Sequence, residues 1–282
     1  LDVGGKKVGY LMYNHFNHEF DAELNNAFGE LRDAGVTELV LDLRYNPGGR
    51  LSSAVDLGSM INLQLKDKIF LKEKYNNDIT QAYISQYGEE SLVERFDDQI
   101  YEYDNSHSEH AAAPINSLNL DKVYIIASNS SYSASEVLIN GLAPHMEVIQ
   151  IGTKTGGKFQ GSITLYDSDN LRKTGANLNQ NHKYALQPIV ASNTNVNGEA
   201  YPGGLIPDYE KREYISTYGE LGDSNEPLLK YALDLISGNA ERGMEKEARI
   251  KGFEIPGNLS IESRFSQPLL LDGTVPSLPI KE

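Results

Sequence analysis

The sequence predicts an α/β fold on three observations: short apolar strand runs such as TELVLDL (37–43) and VYIIA (123–127), amphipathic helical runs between them, and glycine-rich turns where strand passes to helix. Residues 6–13, KKVGYLMY, read as the first strand. Phe20, Leu24, Phe28 and Leu31 then fall at i, i+4, i+8 and i+11, one apolar stripe, which predicts a helix over 20–34 with Asp21 as N-cap and Gly35 just past its end. The strand at 37–43 runs into Arg44-Tyr45-Asn46-Pro47-Gly48-Gly49, where proline removes a donor and the glycines permit positive φ, so the chain must turn with its amides exposed. A helix follows from Ser52 to Leu65, and a strand over 68–73.

Periodicity lapses over 74–117, a polar, tyrosine-containing stretch read as an excursion with some helix, an insertion or lid. The α/β grammar returns with strand 123–127, a helix at 134–143, a strand at 147–151, strand-like runs at 161–166 and 184–190, turns over 196–208, and a helix over 225–237 with Pro227 in its first turn and Gly238 at its end. The core domain is therefore expected over 1–238. Residues 239–282 read as an extension that packs on the core or on a neighbour. Leu1 is not an initiator methionine and no signal peptide is visible, so the chain reads as a cut-down or processed piece, with any targeting sequence or preceding domain out of view.

Bulk properties exclude several functions. No stretch approaches the ~18 uninterrupted apolar residues of a membrane span. A net charge of -15 argues against nucleic acid, which needs concentrated Lys and Arg. The absence of cysteine excludes thiol catalysis, disulfides and thiolate metal sites. His15-x-x-His18 and His107-x-x-His110 lack a third ligand at set spacing and read as solvated loop histidines, not a metal site.

Two chemical readings compete for residues 121–162. Gly152 to Lys158 satisfies G-x-x-x-x-G-K after an apolar strand, the form of a phosphate loop. The next residue, however, is Phe159 and not Ser or Thr, and Gly161 to Tyr166 alternates like a strand where a helix is required. The second reading is a Ser–Lys hydrolase. Ser133 stands between strand and helix, where unpaired amides such as that of Ala134 face developing negative charge. Lys158 can act as base if burial lowers its pKa from ~10.4 toward neutrality. Ser133 with Glu136 also spells an S-x-x-E capping box, and Ser130, Ser131 and Ser135 are rival nucleophiles on chemistry alone.

These segments resemble the carboxy-terminal processing peptidases (tail-specific proteases), Ser–Lys serine peptidases related to the tricorn protease core. The resemblance lies in D-L-R-x-N-x-G-G at Asp42 to Gly49, S-A-S-E at Ser133 to Glu136, and G-x-x-T-x-G-K at Gly152 to Lys158. It covers roughly 7–210. It implies a Clp protease/crotonase-like core of β-β-α units, with Ser133 as nucleophile, Lys158 as base, and an oxyanion hole from Ala134 with Gly49 or Gly48. It implies peptide or protein substrates, cut near a C-terminus, and no metal or organic cofactor. Extracytoplasmic localisation, periplasmic or attached to the cell envelope, follows from the same resemblance. Two departures stand out. A glutamine four residues after the lysine is Ser162 here, with Gln160 two residues after, so either is a candidate to orient the amine. The PDZ domain that usually precedes the core has no room after Leu1; it is expected to have been either removed from this piece or absent. A non-catalytic peptide-binding module and a coenzyme A-dependent crotonase-type enzyme are the competing classes; the latter lacks a basic cluster for nucleotide phosphates.

Overall fold

The computed structural model describes residues 1–103, 109–240 and 269–271. In chain order the elements are β1 (Asp2–Val3), β2 (Lys6–Met12), α1 (Asp21–Asp33), β3 (Glu38–Asp42), α2 (Leu51–Ile61), β4 (Ile69–Tyr75), α3 (Asn77–Tyr87), β5 (Val93–Arg95), β6 (Gln99–Tyr103), β7 (Glu109–Pro114), β8 (Lys122–Ala127), α4 (Ala134–Leu142), β9 (Glu147–Gly152), β10 (Gln160–Ser162), β11 (Leu165–Tyr166), β12 (Ala185–Leu186), β13 (Ile189–Thr194), β14 (Tyr209–Glu210), α5 (Pro227–Ser237) and β15 (Leu269–Leu270).

The main sheet has the order β1-β2-β3-β8-β9-β14, parallel from β2 onward. Parallel strands joined through helices are covered on both faces, so the central strands β3 and β8 are near-continuous apolar runs. Alternation then assigns each residue a face. Leu39 and Leu41 of β3 and Val123 and Ile125 of β8 pack with α1, α2 and α4. Val40 and Ile126 face the opposite way, onto Leu228, Leu229, Ala232, Leu233 and Ile236 of α5. A second sheet, β15-β10-β13-β4-β5, lies over the α4 side, where Phe70 closes on Gly141 of that helix.

Several expectations change in detail. Asp21 is the first residue of α1, behind Phe20 at the N-cap position; its buried carboxylate accepts Ser53 Oγ at 2.8 Å, so it joins α1 to α2 across the interface. The helix expected to Leu65 stops at Ile61, because Asn62 turns extended and its side chain caps a separate 3-10 turn at 63–65. The run 184–190 divides into β12 and β13 around Gln187-Pro188, since proline supplies no ladder donor. Residues 74–117 hold α3, β5 and the β6/β7 hairpin, with Phe96 and Ile100 buried in the main core. Of the 239–282 extension, the described residues 269–271 add a strand parallel to β10, and Leu271 N–H donates to Ser162 O at 3.1 Å.

Candidate active site

Three loops meet where β3, β8 and β9 end: residues 43–50, 128–133 and 153–159. The carboxyl ends of parallel strands are where an open α/β sheet forms its crevice. Serine hydroxyls tie the first two loops together. Ser131 Oγ donates to Leu43 O at 2.7 Å, Ser135 Oγ to Asn46 O at 3.0 Å, and Ser128 Oγ to Arg44 O. Leu43 N–H donates to Ile126 O and Tyr132 N–H to Asn46 O.

Ser133 differs from these neighbours. Its Oγ is buried with no hydrogen-bond partner, and the residue is 0% exposed. Its backbone sits at φ 56°, ψ -114°, a strained conformation for a residue with a Cβ. Of the two halves of the capping box, the hydrogen bond of normal geometry is the one from Ser133 N–H to Glu136 Oε2, at 3.0 Å.

The glycine turn packs directly on this residue. Gly48 has φ 100°, and a Cβ there would lie 2.7 Å from Ser133 Cβ and 2.9 Å from Ala134 N. Gly48 N–H donates to Asn46 Oδ1 at 2.8 Å, and Gly48 O accepts Phe16 N–H at 3.0 Å. Phe16 pairs with Gly49 through Gly48 O and Arg50 N–H, so the bridge does not use the Gly49 amide. Ala134 opens α4, where first-turn amides lack intrahelical partners.

Glu136 connects the Ser133 loop to the Lys158 loop. Its Oε1 accepts Thr155 Oγ1 at 2.5 Å and Gly157 N–H at 2.6 Å; its Oε2 accepts Lys158 N–H at 2.7 Å in addition to Ser133 N–H. Burial pushes the Glu136 carboxyl up, and the four donors pull against that. Lys158 is half-buried; desolvation lowers its pKa, opposed by the charge of Glu136. Ser162 is buried on β10, whereas Gln160 is exposed and pairs with Ser192 on β13.

Arg44 is fully buried. It binds Asp42, Glu226 and Glu213, while Tyr10 donates its hydroxyl to Asp42 and Tyr45 to Glu213. Among the described residues no group of three His, Asp or Glu side chains is set to hold a metal ion. His107 lies outside the described residues. Sequence reasoning missed the reach of Glu136 to residues 155–158 and the partners of Arg44. The S-x-x-E and T-x-G-K segments hinted at the first.

Residues 7–196 match Peptidase family S41. The carboxyl-terminal-processing protease of Synechocystis is 22% identical over 236 residues, 83% of this chain and 45% of that protein. The carboxy-terminal processing protease CtpB of Bacillus subtilis is 28% identical over 196 residues, 67% of this chain and 35% of that protein. The chain therefore spans less than half the length of these relatives. The crystal structure of a Bacteroides fragilis protein assigned to the S41 proteases superposes with a TM-score of 0.66 at 29% identity, covering 86% of this chain and 57% of that one. The layered sheet, the loops at its carboxyl edge and the three sequence segments thus have one source: this chain belongs to peptidase family S41 and has its Clp protease/crotonase-like fold.

Proposed function

We propose that the chain is the catalytic unit of a serine endopeptidase that cuts near protein C-termini, outside the cytoplasm, by way of a Ser133–Lys158 dyad. The observation that carries this reading is the Ser133 hydroxyl: buried, without a partner, on strained backbone, against Gly48, and sharing Glu136 with the Lys158 amide. Neutral Lys158 takes the Ser133 proton as Oγ attacks the scissile carbonyl. The Ala134 and Gly49 amides receive the oxyanion; Gly48 is the weaker candidate because its amide is taken by Asn46. Collapse breaks the C–N bond, with the proton passing from Lys158 to the leaving amine. Water, deprotonated by Lys158, then hydrolyses the acyl-enzyme. Ser162 or Gln160 orients the amine; the burial of Ser162 on β10 and the exposure of Gln160 support Ser162 in that role.

The test is cleavage of C-terminally extended peptides followed by mass spectrometry. Ser133→Ala should remove turnover by ~10³-fold or more with unchanged melting behaviour; retained turnover would sink the assignment. A non-catalytic peptide-binding module on the same fold is the second reading, because a Ser133 that is 0% exposed attacks a carbonyl only after the surrounding loops move. Labelling of Ser133 by a fluorophosphonate, which requires the hydroxyl to become reachable, separates the two.

A further inference from the structure

We infer that Glu226 and Glu213 are positioning residues for the oxyanion turn, acting through Arg44, so that the β14–α5 segment belongs to the catalytic unit although it lies beyond residue 196, where the family match ends. This rests on the reading above, in which residues 48–49 serve acyl chemistry.

The guanidinium presents a planar fork of donors. Its Nε goes to both Asp42 oxygens at 3.0 Å. Glu226 takes the outer edge in bidentate fashion, Oε1 from Nη1 at 2.8 Å and Oε2 from Nη2 at 3.0 Å. Glu213 Oε1 takes Nη1 at 2.8 Å and also the hydroxyl of Tyr45 at 2.8 Å, so two consecutive side chains of the turn grip one oxygen. Asp42 is local, but Glu213 and Glu226 arrive 169 and 182 residues later.

Glu226 is itself immobilised. It caps α5 by accepting Leu229 N–H at 2.8 Å, and that helix is seated on the sheet by five buried apolar residues. From Arg44 the turn passes through Asn46, whose carbonyl is held by Ser135 and Tyr132 and whose side chain holds Gly48 N–H. A shift of Arg44 is therefore delivered to the glycine that touches Ser133 and Ala134. Without Glu226 the buried guanidinium keeps an uncompensated edge, and the local relief is displacement toward Glu213, whose side chain is 18% exposed.

The experiment compares the full chain with Glu226→Gln, Glu226→Asp and Glu213→Gln, measuring kcat and KM on a peptide substrate and hydrogen exchange by mass spectrometry. Both Gln variants should lose ~10-fold or more in kcat with KM within about threefold of the parent, and Glu226→Asp should recover part of the loss. Exchange should rise over 43–50 while β2 and β8 keep their protection. If Glu226→Gln does not fold, Glu213→Gln carries the test. Unchanged kcat with unchanged exchange over 43–50, or an increase spread evenly over the sheet, overturns the inference. Failure of the peptidase reading would look different: a parent protein without Ser133-dependent turnover, in which case exchange over 43–50 alone decides whether the carboxylates position the turn.

Discussion

Glu136 Oε2 accepts the backbone amide of Lys158 at 2.7 Å, 22 residues away in the chain, with the same oxygen that takes the Ser133 amide. The G-x-x-x-x-G-K loop does grip an anion through its amides, as its form suggests, but the anion is a carboxylate from the helix that Ser133 opens. The two proposed catalytic residues are thereby referenced to one side chain.

Glu136→Gln is expected to cost about 2–3 kcal/mol in stability, because a carboxamide turns an N–H₂ group toward amide donors that now have a charged acceptor. Turnover should fall by more than the stability loss explains. Thr155→Val removes one donor to Glu136 and the acceptor of Leu205 N–H, so it should reproduce the effect more mildly. Urea denaturation and kcat measured on the same preparations check both.

Gly48→Ala should separate activity from folding. A Cβ would press on Ser133 Cβ, Tyr132 O and Ala134 N within 2.9 Å, at a φ that alanine avoids. Overpacking and strain of this kind cost about 1–3 kcal/mol, whereas displacement of the oxyanion region should cost ~10²-fold in kcat. A variant that melts a few degrees lower yet turns over at the parent rate would contradict the placement of the turn.

The pH–rate profile should report Lys158. A lysine base works when neutral, so kcat/KM should rise with pH through a pKa held by burial below the ordinary ~10.4. Glu136 opposes that shift, so Glu136→Gln should move the midpoint to lower pH in whatever activity remains. Lys158→Arg should not restore turnover, since guanidinium keeps its proton. A profile with no rising limb anywhere below the ordinary lysine pKa of ~10.4 would remove Lys158 from the role.

Acid should loosen the Arg44 cluster. The desolvation of Glu226 raises its pKa, but its bonds to Arg44 and Leu229 N–H prevail and hold it below the usual carboxylate value. Its contribution is therefore present above the unfolded pKa of ~4.3 and is lost as pH falls through the lower folded pKa. Stability measured from pH 7 down to 3 should decline in the parent. It should decline less steeply in Glu226→Gln, which starts about 3–5 kcal/mol lower at pH 7 because Arg44 has lost a buried partner.

Much of this was legible in order along the chain. Strands β2, β3, β8 and β9 and helices α1, α4 and α5 follow from apolar periodicity, because each buries a face that local spacing already defines. The Gly48-Gly49 turn was legible because proline and glycine restrict the backbone locally. Ser133 and Lys158 were singled out by segment resemblance, with Ser130, Ser131 and Ser135 equal to Ser133 in chemistry. The fold separates three of these four: Ser131 and Ser135 have main-chain carbonyls of the 43–46 turn within reach, whereas Ser133 Oγ has none.

The sequence by itself determined the helices, the parallel strands, the turn at 44–49 and the family, all of which rest on contacts within a few residues or on contiguous motifs. Only the tertiary structure decided that Glu136 holds the lysine loop, that Asp21 takes the Ser53 hydroxyl of α2, and that Arg44 is gripped by Glu213 and Glu226. Those choices depend on which carboxylate reaches which buried donor, and burial brings together groups that no local spacing relates.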